Sequence, residues 1–104
     1  MNAAPVFAAL GDETRLLIVA RLAKNGPLSI ARLTEGATIS RQGITKHLDA
    51  LSHAGIVRSE RSGRERIWAI ETQRLTEAQR YLDLISAKWD AAIERLRLLV
   101  ESDP

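Results

Sequence analysis

Between residues 40 and 53 the chain reads SRQGITKHLDALSH. Arg41, Gln42, Thr45 and Lys46 can all donate hydrogen bonds, and Asp49 is the one acid among them. Arg and Lys match guanine edges and phosphate oxygens, Gln matches adenine, and the Thr methyl can meet thymine. Ser40, just before them, suits a helix N-cap, and a helix start favours phosphate through its free N–H groups and dipole. Further along, Arg61, Arg64 and Arg66 surround Ser62-Gly63. This is the chemistry of holding a polyanion rather than of making or breaking bonds.

Elements must carry these groups. Ile44, Leu48 and Leu51 recur at helical spacing and predict a helix over about 40–53 whose buried stripe lies opposite the donors. Gly55 stands where such a helix ends in a left-handed residue. IVRSE and RIWAI then read as two strands, with the hairpin glycine in RSGR between them, a wing over about 56–70. Upstream, Asn2 to Leu10 predicts a first helix with Pro5 in its first turn. Asp12 caps a second, which Gly26-Pro27 ends. Leu28 fits a short edge strand, and Ser29 caps a third helix closed by Gly36. A last helix runs over about 73–101. The fold class is mainly α with a small β-hairpin wing (α+β). It is a winged helix-turn-helix in the order α-α-(β)-α-α-β-β-α, one domain over residues 1–104.

The totals narrow the function. The net charge is +2, but residues 41–70 hold six bases against three acids, whereas residues 71–104 hold five against seven. A basic centre beside an acidic tail region marks a local anion-binding surface, with a merely solvated face as the alternative. With no cysteines there is no disulfide, thiolate metal site or thiol switch. No apolar run approaches the roughly 20 residues that span a bilayer, and the N-terminus lacks a signal-peptide pattern, so a cytoplasmic protein without a membrane partner is expected. There is no nucleophile elbow, phosphate loop or carboxylate pair in an apolar setting, which argues against an enzyme. Double-stranded DNA is the expected partner, through the helix in the major groove and the basic wing on the flanking backbone or minor groove. A winged-helix module that binds only protein is the rival.

At this point FAALGDETRLLIVARLAKNGPLSIARLTEG, followed by ISRQGITKHLDALSHAGIVRSERSGRERIWAI, resembles the ArsR/SmtB-like winged helix-turn-helix regulators. The resemblance implies a dimeric repressor on a pseudo-palindromic operator. It makes Ser40, Arg41, Gln42, Thr45, Lys46 and His47 the candidate DNA contacts of a recognition helix. His47 is either a phosphate or base contact or a helix-surface residue packing locally. The sequence departs from the metal-sensing members: RLTEG replaces the third-helix cysteine pair, and the last helix has no histidine. His47 and His53 point about 240° apart on one helix, so they form no metal site, and no cofactor is expected. An apolar small-molecule effector between the long helices stays open.

The last helix has its own pattern. Leu75, Leu82, Trp89 and Leu96 are spaced by seven, and Ala78, Ile85, Ala92 and Leu99 follow each by three. These are filled a and d positions of a heptad, widened by Tyr81, Ile93 and Val100. Part of the stripe is therefore expected to be a homodimer surface, with Val6, Phe7 and Leu10 of the first helix as a second layer. The surface residues are then Tyr81, Leu82, Ile85, Trp89, Ala92, Ile93 and Leu96. Trp68 and Trp89 lie in apolar patterns and are expected to pack rather than bind a ligand.

Overall fold

A computed structural model describes residues 3–102. Asn2, where the sequence places the start of the first helix, lies outside them. The elements are α1 (Ala4–Leu10), α2 (Glu13–Asn25), β1 (Leu28–Ser29), α3 (Ile30–Thr34), α4 (Arg41–His53), β2 (Val57–Ser62), β3 (Glu65–Ile70) and α5 (Thr72–Ser102). This is the mainly helical winged arrangement expected, with Leu28 pairing as an edge strand. The sheet is antiparallel in the order β1-β3-β2, with Leu28 opposite Trp68 and Ser59 opposite Trp68 on the other side.

The helices α2, α3 and α4 each begin where a side chain satisfies a free N–H group. The Asp12 carboxylate accepts from the Arg15 N–H at 3.0 Å, which holds its pKa below the ordinary carboxylate value. Ser29 accepts from the Arg32 N–H and Ser40 from the Gly43 N–H. Ile39 and Ile44, on either side of the Ser40 cap, both join the core, as in a hydrophobic staple. At the far end of α4 the Ile56 N–H bonds the Leu51 carbonyl and the Gly55 N–H bonds that of Ser52, each at 3.0 Å. This is a Schellman turn: Gly55 adopts φ +77°, and the buried Leu51 and Ile56 make its apolar contact. A Cβ on Gly55 would also come within 2.8 Å of the Arg74 Cγ.

The core joins Ile18 and Leu22 of α2, Leu33 of α3, the α4 stripe Ile44, Leu48 and Leu51, and Val57 and Trp68 of the wing. It also takes Val6. This corrects the expectation that Val6 lies on a dimer surface: it is 2 % exposed, spent on its own chain. Phe7 and Leu10 remain half-buried at the core's edge.

The helix α5 behaves as two halves. Leu75 and Ala78 seat its start on the core, and Phe7 stacks obliquely on Tyr81 with ring centroids 6.2 Å apart. Beyond Tyr81 the helix leaves the domain. Its 31 residues span about 46 Å at 1.5 Å per residue. The described chain measures 72 × 28 × 21 Å with a radius of gyration of 19.1 Å. A compact chain of this length would have about 13 Å.

Candidate nucleic-acid interface

The helix-turn-helix is set by bonds from outside it. Arg21 of α2 donates to the Leu33 and Arg32 carbonyls at 2.7 and 2.9 Å, closing the C-terminal end of α3. Arg15 donates Nε–H to His47 Nδ1 at 3.2 Å, tying α2 to the middle of α4. With its apolar stripe buried, α4 turns Arg41, Gln42, Lys46 and Asp49 to solvent. Ser40 stays exposed, but its oxygen is engaged in the cap. Thr45 donates its hydroxyl to the Arg41 carbonyl, so its proton is spent within the helix. His47 is half-buried on the flank, and His53 bonds the Asp49 carbonyl through Nδ1 at the helix end.

The wing differs in detail from expectation. Ser62 pairs with Glu65, so the loop is only Gly63-Arg64, with Gly63 at φ +62° as a two-residue type II′ turn requires of its first residue. Of the three wing arginines, Arg64 alone is at the tip. Arg61 and Arg66 are strand residues directly opposite each other. The period of two puts them on the same face as Val57 and Trp68, where the core gives out. Like charges so placed destabilise a sheet, a cost that a bound anion would relieve. Arg66 meets this in part by donating to Ser59 Oγ at 2.9 Å.

The helix α4 and the wing converge. Arg41, Arg64 and Arg66 line one cavity of about 270 Å³, together with Ser29, Ala31 and Glu65. Ion pairing is distributed unevenly around this face. Arg32, Arg58, Arg74 and Arg97 each pair with a glutamate. Among the described residues, Arg41, Lys46, Arg61, Arg64 and Arg66 pair with no acid, and all are exposed. Lys24, Arg80, Lys88 and Arg95, on the end of α2 and along α5, also pair with no acid, as do Arg15 and Arg21, whose guanidinium groups are instead engaged by His47 and by backbone carbonyls. A cluster of uncompensated cations beside a row of amide and ammonium donors can take a polyanion.

A family model described as a helix-turn-helix domain matches residues 10–60. An uncharacterised HTH-type transcriptional regulator of Methanocaldococcus jannaschii is 33% identical over 82 residues, covering 79% of this chain and 92% of its own. The HTH-type regulator YuzN of Bacillus subtilis is 40% identical over 72 residues, covering 64% of this chain and 78% of its own. The solved ArsR-like transcriptional regulator from Rhodococcus sp. RHA1 superposes with a TM-score of 0.81 at 38% identity, covering 96% of this chain and 93% of that one. The chain is an ArsR-family helix-turn-helix transcriptional regulator. It is not an enzyme.

As an ArsR-family protein it departs from metal sensors in the way its sequence shows. It has no cysteine, and no group of three His, Asp or Glu among the described residues could hold a metal ion. No helix among them is long and apolar enough to cross a membrane. Two kinds of residue were not legible from local pattern. Arg15 and Arg21 look like ordinary α2 surface cations, and only the tertiary fold brings them to α4 and α3. Leu84 and Leu98 fall outside the a and d positions, yet they are 63% and 54% exposed on α5.

Proposed function

We propose that this ArsR-family regulator is a cytoplasmic homodimeric repressor of a pseudo-palindromic operator. In this reading α4 lies in the major groove, with Arg41, Gln42, Thr45 and Lys46 toward the bases and Ser40 and His47 toward the phosphates. Arg61, Arg64 and Arg66 hold the flanking backbone or minor groove. The observation that carries the reading is the cluster of exposed cations without an acidic partner on α4 and the wing, Arg41, Lys46, Arg61, Arg64 and Arg66, three of which line one cavity. Two chains joined along α5 would present two α4 helices, suited to half-sites about one DNA turn apart.

The roles within the face separate experimentally. Gln42→Ala should cost about 1–3 kcal/mol on the operator and little on random duplex, measured by fluorescence anisotropy. Equal losses on both would mean that Gln42 reads no base. Arg64→Ala should weaken all duplexes alike and shallow the salt dependence by about one unit, because it removes one phosphate contact. An unchanged slope would take the wing tip out of the interface. Zinc or arsenite in modest excess should leave DNA affinity unchanged, since the two histidines are engaged separately and there is no thiol. Metal-dependent release from a tag-free sample would contradict this.

The experiment for the whole reading is selection of bound duplexes from a random pool, followed by footprinting. An inverted repeat with half-sites one turn apart is expected. Recovery of no enriched sequence would favour a protein-binding module.

A further inference from the structure

His47 sits on the flank of α4, at the border between the buried stripe and the exposed donors. Its Nδ1 accepts a hydrogen bond from the Arg15 Nε–H at 3.2 Å. A guanidinium has no acceptor and keeps its protons, so this bond requires Nδ1 to be bare. The neutral ring must then carry its proton on Nε2. Among the described residues Nε2 has no partner, and it is not a buried unsatisfied atom, so that N–H is open to solvent.

Arg15 is itself held firmly. Its backbone N–H donates to the Asp12 carboxylate at 3.0 Å, and its Nη1 reaches the Ala9 carbonyl of α1 at 3.4 Å. One side chain thus joins α1, α2 and α4, and the guanidinium has little freedom to turn. A flank residue of a groove-bound helix faces the groove wall, where the phosphates lie, rather than the base edges.

We propose that Arg15 is a positioning residue for DNA binding. It does not touch DNA; it fixes the His47 tautomer and ring orientation so that Nε2–H is presented as a neutral donor to a backbone phosphate oxygen. The proposal rests on α4 being the DNA-facing helix. It adds a donor whose strength depends on a residue 32 positions away in sequence. Fixing a ring tautomer through its other nitrogen is how proteins set which face of a histidine donates.

Two readouts test this on the full chain. The first is long-range 15N–1H correlation of the imidazoles in the free wild type at about pH 8, where an ordinary ring is neutral. His47 should show the Nε2–H pattern, and Arg15→Met should relax it toward a tautomer mixture. The second is duplex affinity in a double-mutant cycle. Arg15→Met should weaken binding about fivefold, the worth of one neutral hydrogen bond, with an unchanged salt slope and an unchanged circular dichroism spectrum. In a His47→Gln background the amide donates without a tautomer choice, so Arg15→Met should then cost nothing further. An Nδ1–H pattern in the wild type overturns the proposal. So does an equal loss in both backgrounds, or a shallower salt slope that would place Arg15 itself on a phosphate. A wild type that binds no duplex overturns the DNA reading itself, whereas the wrong tautomer on a wild type that binds overturns only the role of Arg15.

Discussion

Trp89→Glu should give a folded monomer. Trp89 is 65% exposed, on the half of α5 that has left the domain, so its own chain loses no core when it changes. Tyr81, Leu82, Ile85, Ile93 and Leu96 surround it, each at least 39% exposed. An apolar stripe of that length on one projecting helix is far larger than scattered surface leucines would make. Covering the exposed part of one tryptophan contributes about 3 kcal/mol, and a two-fold interface counts it twice. A loss of about 6 kcal/mol weakens pairing roughly ten-thousandfold, and the buried carboxylate adds to it. Sedimentation at micromolar concentration should show one chain, with helical circular dichroism retained. DNA affinity should fall steeply, because a monomer holds one half-site. A variant that stays dimeric would place Trp89 outside the seam.

Leu48→Ala should instead strike the fold. Leu48 is wholly buried and central to the stripe that holds α4 on the core. Removing such a leucine costs about 2–5 kcal/mol, the transfer of its methyls plus the cavity left behind. A domain this size has about 5–15 kcal/mol in all. The denaturation midpoint should fall at unchanged slope and equal protein concentration. Gln42→Ala, on the opposite face, should leave that midpoint in place. A cost below about 1 kcal/mol for Leu48→Ala would mean that α4 is held by something other than its apolar stripe.

The helix α4 was the most legible element, because everything that defines it is local. Ser40 caps it, Ile44, Leu48 and Leu51 face inward at helical spacing, and Gly55 ends it, all within 16 residues. The wing was less so. Its tip is polar on both faces, so no hydrophobic alternation sets the strand register there. RSGR reads equally as a longer loop, and only pairing shows Arg61 opposite Arg66. On α5 the heptad marks one continuous stripe, but the domain uses Leu75 and Ala78 for itself. Where the core ends along such a stripe depends on the size of the body beneath it. Val6 went the same way: its apolar character was plain, its destination was not. The Arg15–His47 bond had no sequence signal at all, since its partners are brought together only by the packing of α2 against α4.

In the proposed function, the face formed by α4 and the wing holds duplex DNA through its uncompensated cations. The most direct measurement is the affinity of the wild-type chain for its selected duplex across a salt titration. Each neutralised phosphate releases counterions, so log K should fall linearly with log salt. For a dimer presenting Arg41, Lys46, Arg61, Arg64 and Arg66 twice, about six to ten contacts are expected. Affinity should then drop about three to five orders of magnitude between about 50 and 200 mM salt. Binding that is absent, or that ignores salt, would contradict the account and leave this face to a protein partner.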